Sequence, residues 1–235
     1  MKNVLRLRWE QLNNFLGGGL EKGIITNVYG IAGAGKTNFA LEAVIAALLE
    51  GKKAIFVDTE RNFSPERFLQ MHPKREDLER VVIFEPFSFQ EQHEVITKKI
   101  PLILEEERGK IGVIVVDSMV ALYRLEMKHE KAHEINAMLS EQFVMLAKAA
   151  KYHSVPVLVT CQVYTPFDSN ELEIVGRDIP KYSSKCMILL EKKDYGVRKA
   201  TLIKHRYMPE GTNIELKITE KGLEPSKSRK FGMFG

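Results

Sequence analysis

Residues 29–37 read YGIAGAGKT, which sets Gly30, Gly35, Lys36 and Thr37 at the spacing G-x-x-x-x-G-K-[ST]. Glycines at this spacing let backbone N–H groups turn inward and approach phosphate oxygens closely, where a Cβ would intrude. The apolar run IITNV precedes the stretch and NFALEAVIAALLE follows it. The loop therefore joins a strand to the start of a helix, whose dipole adds to the attraction for an anion. Gly33, Ala34 and Asn38 complete the cradle. Lys36 would meet β- and γ-phosphates as a point charge, and the Thr37 hydroxyl would ligate Mg²⁺.

Three polar residues at the ends of other apolar runs could act on such a phosphate, because ligands of open α/β sheets gather there. Asp117, after VIVV, is either a Mg²⁺ carboxylate or an ordinary turn former. Glu60, in AIFVDTE, could take a proton from an attacking water, or could be a solvated loop residue beside Arg61. Gln162, in LVTCQV, could bond a γ-phosphate through its amide, or simply bond neighbouring backbone.

The elements that must position these groups follow from the apolar pattern. Eight strand-like runs recur: IITNVYG, KKAIFVDTE, RVVIFEP, IGVIVVDS, VPVLVTCQV, CMILLEK, KATLIKH and IELKIT. Helix-like stretches separate the first five, with Ser64 as N-cap before Pro65 and Ser88 in capping-box spacing with Glu91. This alternation predicts an α/β fold with a mainly parallel, twisted sheet flanked by helices. LLEKKDYGVRKATL reads as two strands about a turn at Asp194–Gly196, giving an antiparallel C-terminal extension. One domain is expected over residues 1–224, followed by a frayed basic tail at 225–235.

The chain has 235 residues, 44% of them hydrophobic, enough for a sizeable core. A net charge of +4 permits a nucleic-acid partner without requiring one. Cys161 and Cys186 both lie inside apolar runs, which argues against a disulfide scaffold and for buried thiols in a reducing, cytoplasmic setting. No apolar run approaches the ~18 residues of a membrane span.

Taken in order, GGGLEKGIITNVYGIAGAGKT, FVDTE, VIVVDS, LVTCQV and MPEGTNIELKITEKGLE resemble the ATPase core of the RecA/RadA recombinase family. Within it they most resemble short archaeal paralogues of RadA that consist of little more than this core. The resemblance implies a RecA-like P-loop NTPase fold, ATP and Mg²⁺ as ligands, Glu60 as catalytic base and Gln162 as γ-phosphate sensor. It also implies two DNA-facing loops, near 124–134 and 163–182. The first carries Arg124 and Lys128 among alternating glutamates and reads equally well as an exposed helix start. The second brings Tyr164, Phe167 and Tyr182 together with Arg177 and Lys181, a combination suited to single-stranded DNA. Lys204, His205 and Arg206 form a basic cluster that could contact DNA, reach a neighbouring subunit's γ-phosphate, or remain a solvated edge.

Departures from RadA shape the functional expectation. The core-like sequence begins almost at once, without RadA's helical domain and aromatic anchor, Cys161 replaces the usual asparagine, and the second loop lacks a glycine-rich run. The expected role is an ATP- and DNA-binding recombination and repair accessory that modulates a RadA-type recombinase, with slow hydrolysis. The resemblance also suggests a Holliday-junction resolvase as partner and allows a homo-oligomer. The alternatives are a filament-forming recombinase that performs strand exchange and a RecA-like signalling ATPase.

Overall fold

A computed structural model describes residues 3–127, 131–165, 172–193 and 196–226. Twelve strands lie among these residues: β1 (Val4–Leu5), β2 (Leu20–Glu21), β3 (Ile25–Gly30), β4 (Lys53–Asp58), β5 (Val81–Phe84), β6 (Ile111–Asp117), β7 (Val157–Tyr164), β8 (Glu173–Ile174), β9 (Cys186–Lys192), β10 (Val197–Lys204), β11 (Asn213–Thr219) and β12 (Gly222–Pro225). The α-helices are α1 (Glu10–Phe15), α2 (Lys36–Leu49), α3 (Pro65–Met71), α4 (Phe89–Glu94), α5 (Ile100–Glu106), α6 (Ala121–Glu126), α7 (Ala132–His153) and α8 (Asp178–Ser183).

The main sheet runs β12-β11-β10-β9-β3-β7-β6-β4-β5, with β8 paired to β7. From β9 to β5 every neighbouring pair is parallel, and from β9 to β12 every pair is antiparallel, as the sequence pattern predicts. Every residue of β3 and of β6 is buried, which explains why β6 reads as a continuous apolar run rather than an alternating one. Helix α2 is buried from Phe39 to Leu48 and fills one side of the sheet; α4, α5 and α7 cover the other.

Both predicted helix starts form. The Arg67 N–H donates to Ser64 Oγ at 3.1 Å, and the Glu91 N–H donates to Ser88 Oγ at 3.1 Å. Glu91 reaches back to the Phe87 N–H at 2.7 Å, one residue beyond the usual reciprocal partner. The final strand runs to Pro225, and the Ser226 N–H donates to the Glu215 carbonyl. Most of the tail, residues 227–235, and the turn residues Asp194 and Tyr195 lie outside the described residues.

A buried ion pair ties this last strand to α2. Arg8 donates to both Glu42 oxygens, at 2.6 and 2.9 Å, and also to the carbonyls of Met71 and Lys221. Glu42 is fully buried and also accepts from the Leu223 N–H at 3.2 Å. Burial raises its pKa and the Arg8 contacts lower it, so the guanidinium is what makes a buried carboxylate tolerable. Arg8→Ala is expected to destabilise the fold by about 3 kcal/mol, read from the urea midpoint. Arg8→Lys should recover only part of that, because a point charge cannot serve both oxygens at once.

Candidate functional site

Where β3 ends, the chain must leave the sheet between two parallel neighbours. Gly30 sits opposite Gln162 on β7, and a Cβ built at Gly30 would lie 2.2 Å from the Leu190 carbonyl oxygen on β9. No other residue fits there without moving backbone. Gly33, with φ of 70°, and Gly35, with φ of 103° as the N-cap of α2, adopt the left-handed conformations that the tight loop needs. Lys36 donates to the loop's own carbonyls, Gly30 at 2.9 Å and Ile31 at 3.0 Å. Burial pulls its pKa down, opposed by Asp117 and Glu60.

Asp58 and Asp117 end adjacent strands at the same level. Asp117 is 4% exposed, and the Thr160 hydroxyl donates to its Oδ1. Its Oδ2 is buried without a hydrogen-bond partner among the described residues. Burial raises the Asp117 pKa; the Thr160 and Thr37 hydroxyls act against it. Asp58 has a different task from the one its position suggests. It accepts from the Asn62 and Phe63 N–H groups at 3.1 and 2.8 Å and so shapes the loop that carries Glu60.

Glu60 therefore stands two residues past the end of β4, on a turn rather than on the strand. The Thr59 hydroxyl anchors that turn by bridging the Ser118 N–H and carbonyl at 2.9 and 2.7 Å. Gln162 Nε2 donates to Glu60 Oε1 at 2.6 Å, and Asn62 Nδ2 donates to Glu60 Oε2 at 3.2 Å. Glu60 and Gln162 thus meet directly, through the Gln162 amide nitrogen and a Glu60 carboxylate oxygen. A cavity of about 320 Å³ is lined by Gly33, Gly35, Lys36, Thr37, Asn38, Glu60, Asp117 and Gln162.

Some neighbours of this cavity carry no sequence signal. Arg67, from α3, donates to Asn38 Oδ1 at 2.6 and 3.0 Å and to the Thr219 carbonyl at 2.7 Å, so Asn38 is held by protein. Ile218 lines the cavity, with Cδ1 3.2 Å from a Cβ built at Gly35. Lys192 and Arg198 bracket Gly33: the Lys192 ammonium lies 2.9 Å from a Cβ built there, and Arg198 donates to its carbonyl at 3.3 Å. Only the antiparallel fold of β9 on β10 reveals these contacts.

The other candidates divide into two places. Lys204 pairs opposite Met187, near the start of β9, so the Lys204–Arg206 cluster stands at the sheet edge opposite the phosphate loop. It is not a uniform cationic patch. Arg206 donates to Glu21 at 2.7 Å, Lys204 donates to the Lys181 carbonyl at 2.9 Å, and His205 Nδ1 accepts from the Met208 N–H at 3.2 Å. Arg124, on α6, and Arg177, before α8, line one cavity. Lys128 and Phe167 lie outside the described residues. Cys161 and Cys186 are buried strand thiols, each pushed up to about 12 by burial. No helix among the described residues is long and apolar enough to cross a membrane.

A parallel sheet whose strand ends bring together a glycine loop, a lysine, a threonine hydroxyl and a buried aspartate defines a RecA-like P-loop NTPase. The chain belongs to the Rad51 family, whose model matches residues 2–226. The DNA repair and recombination protein RadB of Methanococcoides burtonii is 38% identical over 226 residues, covering 95% of this chain and 98% of that protein. Its namesake from Pyrococcus furiosus is 40% identical over 222 residues, covering 92% and 93%. A crystal structure described as the RadB recombinase matches with a TM-score of 0.79 at 34% identity, over 95% of this chain and all of that one.

Gly30→Ala should shift the loop and cost about 2 kcal/mol in stability, with a marked loss of nucleotide affinity. Gly51→Ala, at φ of 73° with nothing within 4 Å of the new Cβ, should cost only its backbone strain and leave nucleotide affinity unchanged. Thermal unfolding with a fluorescent-nucleotide titration separates the two.

Proposed function

We propose that the protein binds ATP with Mg²⁺, binds DNA, and serves homologous recombination and repair as an accessory of a RadA-type recombinase, hydrolysing ATP slowly. The observation that carries the slow turnover is the Gln162–Glu60 hydrogen bond of 2.6 Å. Each oxygen of the exposed Glu60 accepts one hydrogen bond, from Gln162 and from Asn62, so the carboxylate is oriented by these two partners rather than by an attacking water. Hydrolysis then waits on a rearrangement that frees Glu60, while binding does not.

Thr37 and the unbonded Oδ2 of Asp117 are the groups suited to hold Mg²⁺, whose charge would neutralise that of the phosphates. Among the described residues no cluster of three or more His, Cys, Asp or Glu could hold a metal unaided; a nucleotide's phosphate oxygens, with water, would complete the shell. Lys36 releases two carbonyls to meet phosphate, and Gln162, on the strand beside the loop, is positioned to exchange Glu60 for a γ-phosphate oxygen.

The names of the relatives support the recombination and repair role. Arginines beside aromatic rings at the roots of both DNA-facing loops support contact with single strands. The edge position of Lys204–Arg206 suits contact with DNA or with a second copy better than contact with the chain's own nucleotide.

Lys36→Ala is expected to abolish nucleotide binding in a fluorescent-nucleotide titration, whereas Glu60→Gln should keep binding within about threefold and remove hydrolysis. Unchanged turnover in Glu60→Gln would strip that residue of its role. Binding of single-stranded DNA, measured with and without ATP and a RadA-type recombinase, tests the accessory role itself. Regular filaments with strongly stimulated turnover would favour the strand-exchange alternative.

A further inference from the structure

We propose that Lys192, on β9, is a second cation of the nucleotide site, which binds the α- and β-phosphates from the flank opposite the reacting groups while Arg198, on β10, pins the loop itself. The inference rests on the nucleotide binding proposed above and adds to that site a residue of the antiparallel hairpin.

Strand order gives the phosphate loop two unlike flanks. β3, which launches the loop, lies between β7 and β9 in the sheet. Gln162 on β7, Asp117 on β6 and Glu60 just after β4 all stand on one side of it. On the β9 side the charged groups that meet the loop are both cations. The Lys192 ammonium lies 2.9 Å from a Cβ built at Gly33, and Arg198 donates to the Gly33 carbonyl at 3.3 Å. Backbone N–H groups in a loop of this spacing cradle the α- and β-phosphates, while its lysine reaches on to the γ-phosphate. A cation beside Gly33 therefore faces the diphosphate, and the terminal phosphate falls to the other flank.

The face of the sheet that carries these two residues makes them costly without an anion. Lys192 and Arg198 stand directly opposite each other across β9 and β10, and the same row continues through Leu216 to Pro225. The rows on either side are apolar: Leu190, Ala200 and Ile214 on one, Ile218 and Leu223 on the other. Like charges directly opposite each other destabilise a sheet. Neither cation has an ion pair among the described residues. Arg198 bonds only the neutral carbonyls of Gly33 and Val197, and its Nε is buried with no partner among those residues. Lys192 is exposed, so its four-carbon stem can turn the ammonium from Gly33 onto a phosphate oxygen. Its charge already reaches the loop's own lysine: burial is the larger cause of the lowered Lys36 pKa, and Lys192 adds to it. Filling the space that Gly33 leaves would need no charge, and an apolar side chain would suit the neighbouring rows better.

The test titrates the full chain with fluorescent ADP and ATP analogues in the presence of Mg²⁺, at two salt concentrations. Lys192→Met should weaken both nucleotides roughly tenfold and by the same factor, with an unfolding midpoint no lower than that of the wild type, since a repulsion is removed. Lys192→Arg should recover most of the affinity, and the gap between wild type and Lys192→Met should narrow at the higher salt. Lys199→Met takes the same charge from the other face of β10, where Lys199 lies opposite Glu191 and Glu215, and should stay within about twofold of the wild type. A loss confined to ATP assigns Lys192 to the γ-phosphate and overturns the proposal. Unchanged affinity for both nucleotides, or an equal loss in Lys199→Met, also overturns it. Unchanged nucleotide affinity together with weakened DNA binding gives the cations to DNA instead. Wild-type protein that binds neither nucleotide overturns the nucleotide reading itself, and this inference with it.

Discussion

Four adjacent parallel strands, β3, β7, β6 and β4, deliver their carboxyl ends to one edge, and everything chemical in the molecule depends on their register. Gly30 lies opposite Gln162, and Asp58 lies opposite Asp117. Because these strands are buried on both faces, apolar alternation does little to choose the register. Polar pairs do more. The Thr160 hydroxyl meets Asp117 across β7 and β6, and a slip of one residue would turn Thr160 to the opposite face. That would take the Thr160 bond from a buried carboxylate, at a cost of about 1–3 kcal/mol. The residue that suits the metal is thus also one that discriminates between registers.

The same edge holds two strained electrostatic arrangements that a magnesium nucleotide would relieve together. Lys36 is half withdrawn from water and bonded only to neutral carbonyls, which are weaker partners for an ammonium than phosphate oxygens. Asp117 keeps one bare oxygen in a buried place. Each is unfavourable alone, and filling each with a conventional partner would remove the attraction for ligand. Glu60 and Gln162, by contrast, bond to each other, so this pair carries no comparable unmet demand.

The phosphate loop was legible because its requirements are local: two glycines, a lysine and a threonine at fixed spacing between a strand and a helix. That the sheet is mainly parallel followed from the alternation of strand and helix patterns, though the order of its strands did not, and Ser64 and Ser88 marked helix starts through contacts three residues away. Strands of two residues, β1, β2 and β8, have no period to detect. The π-helical turn at Val95–Lys99 joins α4 to α5 just before Pro101, whose missing N–H already interrupts regular helical bonding; spacing alone marked a helix there but not its change of pitch. Partners far apart in the chain were the least visible. Gln162 and Glu60 are 102 residues apart, and Arg206 meets Glu21 across 185 residues, so a cluster that reads as uniformly basic is partly paired.

The antiparallel extension is better understood as a wall of the nucleotide site than as an appendage. Strand β11 brings Ile218 against Gly35, the turn that follows gives the Thr219 and Glu220 carbonyls to Arg67, and Arg67 in turn holds Asn38 on the second residue after Lys36. Below it, Glu42 binds Arg8 and the Leu223 N–H, so α2 is gripped on one side at two levels about one turn apart. A helix whose N-terminus must aim several N–H groups at one anion gains from such a grip, since a shift of about 1 Å there would spoil them together. Parallel strands set where the loop begins; the antiparallel strands set the direction in which its helix points.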